Sequence, residues 1–117
     1  MSLRLQRVQE LLKREIGEAV RRALPILEVG VISVNDVIVA PDLHNATVYV
    51  TVLGDSEQKK RAQVLLRKNR KLIQGMVGKA VVLKYTPQLR FVFDLSIERG
   101  NRILEILDDI EKNSPEI

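Results

Sequence analysis

The stretch "PDLHNATVYVTVLGDSEQ", residues 41–58, passes from turn to strand to helix start within a few residues of each change. Pro41, Asp42 and Asn45 supply turn chemistry. From Ala46 to Leu53 the residues alternate. Val48, Val50 and Val52 face one side, and Thr47, Tyr49 and Thr51 face the other, which is the two-residue period of a strand with one buried face. Gly54 ends the strand. Asp55 followed by Gln58 resembles a capping box, with Asp in place of the usual Ser or Thr.

Upstream, "VISVNDVIV" (31–39) is β-branched, so the two strands and the turn predict an antiparallel hairpin. Residues 3–24 predict an amphipathic helix, with Leu5, Val8, Leu12, Ile16, Ala19, Val20 and Ala23 on one apolar face. Arg7, Arg14 and Arg21 form a stripe roughly opposite, and Pro25 stops the helix by disfavouring the α conformation of its predecessor.

Downstream, Ala62, Leu65, Leu66, Leu72, Ile73, Met76 and Val77 carry a helical period to about residue 78. That is long for one globular helix and predicts a break near its middle. "AVVLKYTPQLRFVFDL" (80–95) predicts strand on both sides of Pro87. Ser96 predicts the cap of a last helix, with Ile97, Ile103, Leu104, Leu107 and Ile110 on its apolar face. The order is α-β-β-α-α-β-α. It predicts an α+β fold in which helices pack on one face of a three-stranded sheet, a small α/β sandwich. One domain is expected over residues 1–112, with 113–117 ("NSPEI") as a short disordered tail.

A chain of 117 residues can bury an ordinary core without staples. It has no cysteine, so disulfides and thiolate metal sites are excluded, which suits a reducing cytosol. The charged N-terminus has no apolar signal core, and no apolar run approaches the ~18–20 residues of a membrane span. A cytoplasmic monomer is expected.

The net charge of +4 is unevenly laid out. Residues 1–27 hold six Lys/Arg against three acids, and 28–55 hold none against four. Residues 56–90 hold ten against Glu57 alone, and 91–117 hold three against seven. Solubility chemistry mixes signs, whereas segregated basic segments are the footprint of a polyanion binder.

Catalytic material is sparse. His44 is the single histidine and lies in the turn, where a solvated role is expected. The acids do not cluster at ligand spacing, so no metal or cofactor is expected. Ser33, Ser56 and Ser96 lack a neighbouring histidine and a G-x-S-x-G elbow. "GMVGK" is too short for a phosphate-binding P-loop. A non-catalytic protein is expected. Phe91 and Phe93 stand two apart like a base-stacking pair. They share a face with Leu89 and Leu95, which assigns them to the core and points away from base stacking as the mode of binding.

Two nucleic-acid grips compete in "RKNRKLIQGMVGKA" (67–80). Gly75-Met76-Val77-Gly78 is a literal G-x-x-G, the tetrapeptide that clamps RNA backbone in KH domains. Its inner residues continue the Leu72/Ile73 face, so the motif is read as a coincidence. The other grip is the basic cluster Arg67, Lys68, Arg70 and Lys71. In a continuous helix its i,i+3 and i,i+4 like-charge pairs each cost on the order of 0.2–0.5 kcal/mol. A polyanion relieves that repulsion and gains counterion release. Lys79, Lys84 and Arg90 extend the positive surface, and Arg7 and Arg14 are expected to join it from the first helix.

The element order is that of a type II KH fold. "QRV" (6–8), "PDLHNATVYVTVLG" (41–54) and "VGKAVVLKYTPQLRFVFDLS" (77–96) together resemble the ribosome-binding factor A family, from about Arg4 to Leu107. Its most specific elements here are Asp42-Leu43 with Ala46, Val48, Tyr49 and Val50, then Pro87, Leu89, Phe91 and Asp94. In place of the KH clamp the family has an interhelical kink, typically Ala-x-Gly. That kink falls here at Asn69, Arg70 and Lys71, with Asn for Ala and Lys for Gly. Asn tolerates left-handed backbone, which allows a kink.

The resemblance implies a non-catalytic assembly factor that binds the small (30S) ribosomal subunit through 16S rRNA. It also implies a role in late maturation and rRNA processing, and in adaptation to cold. The RNA-binding residues expected are those of the basic cluster and its extensions. Two alternatives stand beside it. One is a generic KH-like module for single-stranded nucleic acid. The other is a protein–protein adaptor acting through the acidic C-terminal helix. Membrane attachment through the first helix is weaker, since its apolar stripe reads as core and no Trp anchors it.

Overall fold

A computed structural model describes residues 3–83, 85–94 and 116–117. Helix α1 spans Leu3–Ala23 and buries Leu12, Ile16, Ala19 and Val20. Pro25 ends it and also opens a single-turn helix, α2 (Ile26–Val29), which the sequence reading did not contain. Gly30 turns the chain into β1 at φ +71°. A Cβ there would stand 2.5 Å from the Leu53 carbonyl oxygen, so only glycine fits between the helix turn and the adjacent strand.

Strands β1 (Val31–Val39) and β2 (Asn45–Leu53) form the expected antiparallel hairpin. Its turn carries Leu43 in the left-handed region, at φ 64°. The register skips Asn35 between Val34 and Asp36. Without that bulge Ile32 and Val37, five positions apart, would face opposite sides; with it both are buried. Asn35 then reaches the face away from the helices, where its Nδ2 donates to Thr51 Oγ1 and Asp94 Oδ2.

The Asp55–Gln58 capping box forms in both directions and starts α3 (Ser56–Lys68). Helix α4 (Arg70–Ala80) follows after a single residue, Asn69. Strand β3 (Gln88–Phe93) then pairs parallel with β2, so the sheet order is β1-β2-β3 with β2 central. The parallel pairing follows from the crossover, since the helical pair returns the chain to the end from which β2 began. Helix α1 packs on β1 and on α4, and α2 packs on α3. The core lies between this helical layer and one sheet face, around Leu12, Ile16, Val48, Val50, Leu66, Ile73, Val77, Leu89 and Phe91. It is the expected α+β sandwich, with the single-turn α2 added to the α-β-β-α-α-β order.

Three local readings change. The strand expected over 80–95 starts only at Gln88. Ala80 completes α4, and the connection exposes Val82 almost fully. Strand propensity in "VVL" (81–83) loses here because the chain must travel from the end of a helix to the start of a parallel strand. Leu72, assigned to the core face, is more than half exposed, whereas Ile73 is fully buried. Of the segment read as a tail, Glu116 forms a bridge with Val92. The Ile117 amide donates to the Phe91 carbonyl, and the Ile117 side chain is buried. Apolar burial and a free strand edge hold these two residues where composition alone suggested none. The expected C-terminal helix from Ser96 lies outside the described residues.

Candidate nucleic-acid interface

The helix break is made by Asn69 in the bridge region, at φ −101° and ψ 11°. It is not made by the left-handed conformation that the sequence suggested. The Asn69 side chain donates from Nδ2 to the Leu65 carbonyl at 2.8 Å, and the backbone amide of Asn69 bonds to the same oxygen. The Asn69 carbonyl in turn accepts the Ile73 amide, starting α4. An Asn therefore tethers the break to the end of α3 without a glycine. Because its amide is spent on Leu65, α4 begins with no side-chain cap and no acid in its first turn.

Arg70 and Lys71 occupy that first turn. Cations at a helix N-terminus oppose the macrodipole, at roughly 0.3–1 kcal/mol each when exposed. Arg67 and Lys68, in the last turn of α3, have the favourable placement, which supplies a purely structural reason for their charge. Arg70 and Lys71 have no such reason. Among the described residues none of the four forms an ion pair. The like-charge pairs across Asn69 straddle the break, so the continuous-helix estimate of their repulsion does not carry over unchanged.

Arg70 and Lys71 line a groove of about 510 Å³ together with Gln74, Gly75, Gly78, Thr86 and Gln88. One wall is the flank of α4 and the other is the chain entering β3. Gln74 Oε1 bridges the two by accepting the Leu89 amide at 3.1 Å. Gly75 and Gly78, one helical turn apart, keep the α4 wall low. A Cβ at Gly75 would meet nothing within 4 Å, and one at Gly78 would stand 3.0 Å from Thr86 Oγ1. Met76 and Val77 point inward, Val77 being fully buried. The G-x-x-G is therefore a helical segment whose backbone amides are engaged in the helix, not a clamp. Its two glycines nevertheless shape the groove, and the i,i+3 spacing was the sequence signal for that shared flank. Gln74, Thr86 and Gln88 carried no such signal.

The remaining predicted residues separate. Lys79 is exposed on α4, one turn beyond Gly75. Lys84 lies outside the described residues. Arg90 alternates with Leu89 and Phe91, so it points to the sheet face opposite the helices, where its Nε pairs with Glu116 Oε1 at 3.0 Å. Arg14 lines a different depression, with Glu10, Lys13, Arg21 and Ser33 over β1. It lies at the opposite edge of the sandwich from the α4–β3 groove, and Arg7 continues its stripe on α1. Arg14 therefore lines a depression separate from the groove of Arg70 and Lys71, and Arg7 is exposed on α1. That stripe is also partly neutralised, because Arg14 pairs with Glu15 and Arg21 with Glu18. The hydrogen bond and charge of Arg21, with Arg22 adding, hold the Glu18 carboxyl below its ordinary pKa.

An apolar hollow near Val20, Leu24, Val29 and Ile32 has no comparable cluster of cations. Among the described residues no three His, Asp or Glu side chains stand together as metal ligands, and no helix is long and apolar enough to cross a membrane.

The family model for ribosome-binding factor A matches residues 4–107. The chain belongs to the ribosome-binding factor A family. Among solved structures, ribosome-binding factor A from Thermus thermophilus superposes with a TM-score of 0.65 at 19% identity, over 75% of this chain and 93% of that one. A homology model of the Thermus factor, fitted into a cryo-electron-microscopy map of a 30S–factor complex, gives 0.64 at 22% identity, over 74% and 91%. The solution structure of a Thermotoga maritima candidate for the same factor gives 0.52 at 25% identity, over 72% and 84%. The Thermus likenesses bear on the fold, which is that of ribosome-binding factor A.

Proposed function

We propose that this chain binds the small ribosomal subunit through its 16S rRNA and assists late maturation, including processing of the rRNA. The observation that carries the proposal is the groove beside the helix break. There Arg70 and Lys71 stand at the uncapped positive end of α4, over a wall lowered by Gly75 and Gly78. Phosphate is the ligand that such a place suits. It relieves the unfavourable dipole contact, accepts from guanidinium and ammonium, and releases counterions on binding. Membership of the ribosome-binding factor A family, and the 30S complex in which the Thermus factor was fitted, support rRNA as the source of that phosphate. Phosphate contacts position more than they specify, so selectivity for the particle comes from its folded shape. The protein acts without catalysis, holding an rRNA element in one arrangement in the cytoplasm, with a role in growth in the cold.

The test is co-sedimentation with small subunits, large subunits and whole ribosomes across a salt series. Retention by small subunits alone is expected. Arg70→Glu with Lys71→Glu should abolish retention at moderate salt. Any residual binding should show a log–log salt slope shallower by about 1.4–1.8, from ~0.7–0.9 for each of two phosphates lost. Equal binding to every RNA would favour a generic single-strand module. Unchanged binding by the folded double mutant would remove the groove from the mechanism.

A further inference from the structure

Beside the groove stands an aromatic pair that phosphate binding does not use. His44, from the β1–β2 turn, stacks on Tyr85, from the connection before β3, with ring centroids 5.2 Å apart and planes at 28°. Both residues are exposed, Tyr85 by about half. The pair is held at the groove's end. The Gln88 amide donates to the His44 carbonyl at 2.8 Å, and Thr86, which lines the groove, is the next residue after Tyr85. The His44 amide is also fixed, donating to Asp42 Oδ1. His44 is thus anchored through its backbone beside the start of β3, while both residues stay exposed. Core packing does not explain the pair.

We infer that the His44–Tyr85 pair is a stacking platform for an unpaired base of a single-stranded RNA whose backbone lies in the α4–β3 groove. The inference rests on the groove reading above and refines it. Tyr85 lies one peptide, about 3.8 Å between Cα atoms, from the groove wall, so base and phosphate of one nucleotide or its neighbour can be held together. Every base has a π-face, so the platform accepts bases with little sequence preference and separates single strands, with bases free to splay, from duplex. The sequence pointed away from stacking because its only evident aromatic pair, Phe91 and Phe93, faces the core.

The test compares two single strands of equal length and charge, an oligoadenylate and an abasic ribose-phosphate backbone. Wild-type protein should bind the oligoadenylate about tenfold tighter, a typical effect for one stacked base. The chain's two tyrosines, with no tryptophan, allow the stacking to be read as quenched tyrosine emission. Tyr85→Ala should lose that tenfold advantage and the quenching while binding the abasic strand as before, with the salt slope unchanged. Tyr85→Phe should restore the preference for bases, which a merely structural role for Tyr85 does not predict. His44→Ala, which spares both backbone bonds, should lose part of it. Equal wild-type binding of the two strands would overturn the platform and leave the groove standing. So would equal losses on both strands in Tyr85→Ala. No binding of either strand by wild-type protein, with Arg70→Glu/Lys71→Glu also without effect on particles, would overturn the groove and the platform with it.

Discussion

Gly75 offers a substitution that should strengthen the fold and weaken binding at once. It lies in the interior of α4, where glycine costs roughly 0.8–1.0 kcal/mol against alanine. A Cβ added there meets no atom within 4 Å, so no steric term offsets the gain. Gly75→Ala should therefore stabilise by nearly that full amount. Unfolding entropy of ~2.1 cal/mol/K per residue amounts to roughly 0.25 kcal/mol/K for this chain, so Tm should rise by about 3–4 °C. Leucine is almost as good a helix former as alanine, so Gly75→Leu should also stabilise, and its isobutyl group projects into the groove between α4 and Thr86–Gln88. Calorimetry and small-subunit co-sedimentation on the same preparations separate the two effects. Gly75→Leu should melt above wild type and bind RNA at least several-fold more weakly, while Gly75→Ala keeps most binding. Full binding by Gly75→Leu would show that RNA does not run along this wall. A fall in Tm for Gly75→Ala would contradict the open helical setting of Gly75.

Other perturbations address different parts of the molecule. Asp55→Ala removes the side chain that caps α3 and should cost about 1 kcal/mol, measured by urea unfolding, with rRNA affinity retained. Ile73→Ala opens a cavity beneath the groove at a fully buried position and should cost about 2–5 kcal/mol by the same measurement. Arg14→Gln, at the opposite edge of the sandwich, should change particle retention by less than about twofold at physiological salt, where charges beyond ~8 Å are screened. A loss as large as that of the Arg70/Lys71 double mutant would place Arg14 on the RNA.

Ribosome-binding factor A is a fold whose elements are locally encoded to an unusual degree in this chain. The apolar face of α1 is legible from three- and four-residue spacing, and the alternation of β2 from its Val/Thr rows. The Asp55–Gln58 box marks the start of α3 within one residue. Each depends on contacts within a few positions, so the sequence carries them. The break at Asn69 was legible in position, through helix length and resemblance, but not in mechanism. Whether Asn turns left-handed or bonds back to Leu65 depends on how α4 must lie on the core. The region after α4 was misread because "VVL" (81–83) has strand propensity, whereas the parallel crossover requires a connection there.

By itself, the sequence determined the element order, the core faces and the separation of charge into segments, because periodicity and capping act between near neighbours. Which of the candidate residues share one groove was decided by tertiary structure. Parallel addition of β3 brings Thr86 and Gln88 against Gly75 and Gly78, and brings Tyr85 onto His44, residues far apart in the chain. The same topology sends Arg14 to the opposite edge and Arg90 to the opposite face, so basic residues that look equivalent in one dimension belong to different surfaces. A list of charges has no direction until helices and strands fix where each side chain points, and only packing supplies that direction.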